Sequence, residues 1–239
     1  MIEVSNLSKS FKTLQVLKNI NLTVPKNSVF GFIGINGAGK STFIKCLMNF
    51  LTPDAGTIVV KNKKVISSVS FRKEIGYLPE VFQPPLDLKC NEFISYCYGL
   101  IKNKRCPQKD IKDVLEKVGL SQSYNTIIRK LSKGMRQRLG LAQAIIHSPN
   151  ILILDEPFSG LDPIGRFRLK NLLIKLKTST DSSIFFSSHN LTEIQDLCTH
   201  IAILHDGEIK AYGSVEEILK NSSSMSLEDF FLKIVDYKE

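Results

Sequence analysis

The apolar residues of this chain keep two rhythms. Near the N-terminus they alternate with polar ones, as in Ile2-Glu3-Val4-Ser5-Asn6-Leu7 and Val16-Leu17-Lys18-Asn19-Ile20-Asn21-Leu22-Thr23-Val24. A period of two sets one face of a strand on a core and the other in water, so both segments read as half-exposed antiparallel strands. Elsewhere the apolar runs are short and unbroken. Val29-Phe30-Gly31-Phe32-Ile33, Ile151-Leu152-Ile153-Leu154 and Ser183-Ile184-Phe185-Phe186 read as strands covered on both faces. Helical stretches follow the first of these and separate the other two, at 43–48 and 164–177, which argues for a buried parallel sheet. Thr57-Ile58-Val59-Val60 is a further strand. Residues 201–204 and 208–212 flank the turn His205-Asp206-Gly207 and read as a late hairpin. Turns fall at 25–28 and 52–56, where Pro, Asn, Asp and Gly gather.

From about Asn91 to Gly140 the rhythm changes again. Ile111, Val114, Leu115, Val118 and Leu120 recur near helical spacing, with Gly119 near that helix's end. This predicts a helical insert. The tail is helical at 215–219 and 227–235, broken by Asn221-Ser222-Ser223-Ser224. The expectation is a single α/β domain over 1–239: a core with a small antiparallel sheet (1–85 and 150–215), a helical subdomain (about 86–145) and a C-terminal helical tail (216–239).

At 239 residues, 43% hydrophobic and 23% charged, the chain has the composition of an ordinary globular protein. No apolar run approaches the roughly 18–20 residues that span a bilayer. Met1-Ile2-Glu3-Val4 has no basic region before an apolar stretch, so a secretory signal is not expected. The protein is expected in the cytoplasm, at a membrane only through a partner. Five cysteines without C-x-x-C spacing argue for reduced, packed thiols and against zinc. The net charge of +9 is spread. Its basic clusters, Lys61-Asn62-Lys63-Lys64 and Lys102-Asn103-Lys104-Arg105, are short, distant and free of interleaved aromatics, so they read as solvated faces and nucleic acid is not an expected partner.

The chemistry concentrates at Gly34-Ile35-Asn36-Gly37-Ala38-Gly39-Lys40-Ser41-Thr42. It fits G-x-x-x-x-G-K-[ST] between a buried strand and a helix, the context a phosphate-cradling P-loop requires. The glycines turn the backbone so that N–H groups meet phosphate oxygens, and the helix adds its positive end. Lys40 can reach the β- and γ-phosphates, and the Ser41 hydroxyl can ligate Mg²⁺. A second element is the apolar strand that ends in Asp155-Glu156. Asp155 can hold Mg²⁺ and Glu156 can activate a water for attack on the γ-phosphate. Two solvated acids capping a strand are the plainer reading, which the upstream P-loop disfavours.

A third element is Leu131-Ser132-Lys133-Gly134-Met135-Arg136-Gln137-Arg138. A serine before a helix is ordinarily an N-cap. Here L-S-x-G followed by Q-R, a short way before the acidic strand, resembles the signature motif of ABC-type ATPases. Ser159-Gly160-Leu161-Asp162 resembles that family's D-loop. His189 resembles its switch histidine and Phe11 the aromatic residue that stacks on adenine. The resemblance covers nearly the whole chain. It implies the ABC ATPase fold: a P-loop NTPase core, a small antiparallel β subdomain and an α-helical insert.

The resemblance also implies an ATP hydrolase using ATP and Mg²⁺, with Glu156 and His189 catalytic. Phe11, Val16, Asn36, Gly37, Ala38, Gly39, Lys40, Ser41, Thr42, Glu80, Ser132, Gly134 and Asp162 would bind nucleotide, and Ser41, Asp155 and Glu80 the metal. It further implies a head-to-tail homodimer or heterodimer and an integral membrane permease as partner. Glu80, after Tyr77-Leu78-Pro79, stands where the family usually has a coupling glutamine; Gln83 is the other candidate, and Glu80 is favoured. Met135 replaces a commoner glutamine. Tyr77-Leu78-Pro79-Glu80 and the tail at 225–232 resemble bacterial export-type subunits. A soluble ABC ATPase acting on ribosomes or DNA is the alternative, disfavoured by a single P-loop and the absence of sustained heptads. A regulatory member that binds ATP without hydrolysis is disfavoured by Glu156 and His189.

Overall fold

In the computed structural model, residues 2–65, 70–179, 181–221 and 226–235 are described. The chain divides into two compact units, Met1–Arg72 with Ser183–Glu239, and Lys73–Ser182.

The first unit holds two sets of strands. β1 (Ile2–Phe11) and β2 (Leu14–Val24) form an antiparallel pair, with Ile2 opposite Val24 and Phe11 opposite Leu14. β4 (Ala55–Val60) lies antiparallel along the other side of β1, and β5 (Lys63–Lys64) lies along β4. The alternating pattern explains the sheet: Ile2, Val4, Leu7, Leu17, Ile20, Leu22 and Val24 are buried while their neighbours face out. Register shifts interrupt β1 between Val4 and Ser10, so the strand bulges as it nears Phe11.

In the second set, β3 (Val29–Ile33) runs parallel to both β8 (Ser183–Ser188) and β9 (His200–His205). β10 (Glu208–Ser214) folds back on β9 through Asp206 and Gly207, both with positive φ, as a tight hairpin turn demands. All of β3 and β8 is buried, as unbroken apolar runs require. Phe32 of β3 and Phe185 of β8 stack with Phe43 of α1 (Lys40–Leu47), and Phe30 stacks on Phe185; the Phe32–Phe43 centroids are 4.6 Å apart. On the opposite face, a Cβ at Gly31 would come within 2.7 Å of Ile194 Cδ1, so glycine lets α6 (Leu191–Leu197) pack directly on β3. Neither α6 nor β5 is anticipated by the sequence pattern. α7 (Val215–Asn221) and α8 (Leu227–Ile234) form the tail; Ser222–Ser224 of the expected break lie outside the described residues.

The second unit pairs β6 (Ile75–Leu78) in parallel with β7 (Ile151–Leu154), Leu78 opposite Leu154. Its helices are α2 (Cys90–Lys102), α3 (Gln108–Lys117), α4 (Lys133–Ile145) and α5 (Pro163–Ser179). α4 lies against β6. A Cβ at Gly76 would fall 2.1 Å from the Ala144 carbonyl oxygen, so that helix and strand touch backbone to backbone. Ile111, Val114 and Leu115, the apolar stripe of the periodicity, are buried on α3.

Candidate functional site

In the first unit the chain leaves β3 at Ile33 and re-enters helix at Lys40. Gly37 and Gly39 hold φ of 83° and 108°, a conformation that side chains oppose. Gly39 is the N-cap of α1, and a Cβ there would sit 3.1 Å from the Val16 carbonyl oxygen. Val16 of β2 thus backs the loop. Lys40 Nζ donates to the carbonyl oxygens of Gly34 at 2.7 Å and Ile35 at 3.2 Å, which holds the ammonium inside the loop. Ala38, Gly39 and Lys40 are buried, Ser41 and Thr42 half-buried, Asn36 and Gly37 exposed. No acidic residue occupies the first turn of α1. Left-handed glycines leading into a helix N-terminus, with the Lys40 ammonium beside them, suit phosphate.

The Gly34 N–H donates to the Ser188 carbonyl at 3.3 Å, tying the loop to the end of β8. His189 is the next residue and is exposed. Ser188 Oγ donates to Glu193 Oε2 at 2.8 Å and accepts the Asn190 N–H at 2.9 Å, which fixes the turn that carries His189. Phe11 lies at the β1–β2 hairpin with 44% of its surface exposed.

The second unit carries the acids. Asp155 and Glu156, 3% and 7% exposed, follow β7 directly. The Asp155 N–H donates to the Leu78 carbonyl at 2.9 Å, which joins the carboxyl ends of β6 and β7. Burial first, then the charges of Asp155 and Glu80, push the Tyr77 phenol up to about 12. Asp155 directly follows β7 and Glu80 lies two residues beyond β6, so both follow the carboxyl end of this parallel pair. Glu80 and Gln83 are both exposed and both line a groove of about 540 Å³ with Phe82, Arg136, Gln137 and Ser159.

Glu156 holds φ of 45°, a costly conformation for a residue with a side chain. Two bonds stabilise it. The Ser159 N–H donates to the Glu156 carbonyl at 3.0 Å, and Gln137 Nε2 donates to the Pro157 carbonyl at 3.0 Å. Sequence reasoning assigns Gln137 no role of its own. The available signal is an amide on the face of α4 that also buries Gly140, Leu141 and Ala144.

Ser132 caps α4, its Oγ accepting the Met135 N–H at 3.2 Å. Ser132, Gly134 and Asp162 line a cavity of about 290 Å³ with Arg138 and Arg168. Asp162 Oδ1 accepts the Gly165 N–H at 2.6 Å, so this carboxylate caps α5. The cysteines are all free, and burial raises the Cys46 thiol to about 11 and Cys97 to about 12, as for inert packed thiols. Among the described residues, no group of three or more His, Cys, Asp and Glu could hold a metal by itself, and no helix is long and apolar enough to cross a membrane.

Residues 17–159 match the family model for the ABC transporter. The bacitracin transport ATP-binding protein BcrA of Bacillus licheniformis is 37% identical over 217 residues, covering 87% of this chain and 68% of that protein. The methionine import ATP-binding protein MetN 1 of Listeria monocytogenes (serovar 1/2a, strain ATCC BAA-679 / EGD-e) is 33% identical over 240 residues, covering 96% of this chain and 71% of that one. A solved structure described as the ATP-binding subunit of an ABC transporter superposes with a TM-score of 0.86 at 26% identity, covering 98% of this chain and 99% of the other. The chain therefore belongs to the ABC transporter family, as an ATP-binding subunit and ATP hydrolase.

Proposed function

We propose that this chain powers an exporter whose membrane-spanning part is a separate permease subunit, and that it works as a dimer on the cytoplasmic face. The observation that carries the chemistry is the pair of buried carboxylates at the end of β7, one of them in a left-handed conformation held by two hydrogen bonds. Lys40 and the loop N–H groups bind the β- and γ-phosphates of ATP. Ser41, Asp155 and Glu80 would hold Mg²⁺, a hard ion that takes few protein oxygens and shares the phosphates, and that neutralises developing charge. Glu156 takes the proton of the attacking water, and His189 contacts the γ-phosphate. Phe11 stacks on the adenine. Ser132 and Gly134 of one copy close over nucleotide held by the P-loop of the other, excluding water and strengthening each charge contact.

Export is supported by Tyr77-Leu78-Pro79-Glu80; the similarity to a bacitracin transport protein supports transport in either direction, and the similarity to a methionine import protein favours the opposite one. Affinity capture of the tagged chain from solubilised membranes tests the partner. Recovery of an integral membrane protein is expected, and recovery with ribosomes or DNA from the soluble fraction would favour the non-transport alternative. Reconstituting the captured complex in inside-out vesicles tests direction: ATP-driven accumulation of cargo marks an exporter, and ATP-driven release an importer.

A further inference from the structure

The hairpin that carries Phe11 contains a charged assembly that the nucleotide site does not account for. Lys9 Nζ lies 5.7 Å from the centroid of the Phe11 ring, within cation–π range. Lys9 and Phe11 are two residues apart on β1, and the strand bulges between Lys9 and Ser10. Such a bulge re-aims the side chains beyond it. The cation is itself anchored. Lys9 Nζ donates to Asp54 Oδ1 at 2.8 Å, and the Ser10 N–H donates to Asp54 Oδ2 at 2.6 Å. The Asp54 N–H in turn donates to the Ser8 carbonyl at 2.8 Å. Asp54 thus grips three consecutive residues of β1 just before the ring. Those bonds hold its carboxyl below the usual range, so it stays charged.

We propose that Lys9, fixed by Asp54, closes one face of the Phe11 ring and so directs the purine base to the other. The two are positioning residues for nucleobase binding. Phe11 is a short side chain on an exposed hairpin, and a ring free to turn would lose entropy on stacking. A cation seated on one face removes that freedom before the nucleotide arrives. It also draws π-density from the ring, which lowers repulsion toward an electron-rich base on the opposite face. The inference rests on the reading of Phe11 as the base platform, and concerns the base alone. The triphosphate is bound elsewhere, by the P-loop.

The test compares MgATP with magnesium tripolyphosphate, which has the phosphates and lacks the base, by calorimetry on the full chain. Phe11→Ala should weaken MgATP by about 5- to 100-fold, the range for loss of a base–aromatic stack, and leave tripolyphosphate unchanged. Lys9→Ala should weaken MgATP by about 2- to 5-fold, again without effect on tripolyphosphate. Asp54→Asn should move MgATP in the same direction, and Lys9→Arg, which keeps the cation, should restore affinity. If Phe11→Ala does not separate the two ligands, the base-platform reading fails. If Phe11→Ala separates them while Lys9→Ala and Asp54→Asn match the unsubstituted chain, the clamp alone is refuted. Equal weakening of both ligands by Lys9→Ala would mark a general disturbance of the sheet and overturn the proposal.

Discussion

Gln137→Ala is the perturbation that asks most of the geometry at the acidic strand end. Gln137 is buried on α4 and donates to the Pro157 carbonyl at 3.0 Å. Pro157 directly follows Glu156, whose φ of 45° stores strain of about 1–3 kcal/mol. Truncation leaves a buried carbonyl without this donor, at a cost of about 1–3 kcal/mol. That loss falls on the segment that holds the strain, so Glu156 should relax away from its orientation. At this chain length, about 2–4 °C of Tm accompanies each kcal/mol, so a fall of about 2–12 °C is expected. Misplacing a general base by a fraction of an ångström should lower kcat by about 10-fold or more, with KM for ATP nearly constant because the P-loop is untouched. Thermal unfolding and steady-state phosphate release on the purified chain measure both. Gln137→Glu should be at least as damaging, since it sets a carboxylate against a carbonyl. A Gln137→Ala protein with wild-type Tm and kcat would refute the positioning role. A lowered Tm with unchanged kcat would show that the bond is structural only.

Lys40→Ala removes the cation held inside the loop and should abolish productive MgATP binding, which calorimetry would contradict by finding unchanged affinity. Glu156→Gln keeps the shape and loses the base, so hydrolysis should fall about 10²–10⁴-fold while ATP stays bound and the dimer stays closed on gel filtration; near-normal turnover would exclude the assignment. Glu80→Ala should uncouple ATP turnover from permease stimulation more than Glu80→Gln does, with Gln83→Ala as control; the reverse pattern would move the coupling role to Gln83. His147 is buried, with Nε2 at 3.1 Å from the Ile75 carbonyl oxygen, and burial lowers its pKa below 6.5. The unfolded chain then binds the proton more readily. This contribution to stability is complete above pH 6.5 and is lost as pH falls through the folded value. His147→Gln should flatten that part of the stability–pH curve, measured by urea unfolding from pH 7.5 to 5.

How far sequence alone reaches depends on whether the physics is local. The period-two alternation of 2–7 and 16–24 specifies one buried face, and β1 and β2 bury that face. The unbroken run 29–33 specifies a strand covered on both sides, and β3 is wholly buried between β8 and β9. The P-loop is legible because its chemistry is contiguous: glycines, lysine and hydroxyl lie within nine residues and need only the strand before them and the helix after. Asp155 and Glu156 are legible for the same reason. α6 is not, because its seven residues make only two turns, too few for a helical period to stand out, and its place on β3 depends on Gly31, far away in the chain. The left-handed φ of Glu156 is invisible to residue-type rules, which assign that region to glycine and asparagine; hydrogen bonds from Gln137 and Ser159 hold it there. The grip of Asp54 on Lys9 and Ser10 spans more than forty residues and follows from β4 pairing with β1. Hydrophobic period and motif spacing are properties of neighbours along the chain, and they select the elements and the reactive groups. The orientation of those groups depends on hydrogen bonds and close contacts between segments that meet only after strand pairing and helix packing, and only the folded chain decides those.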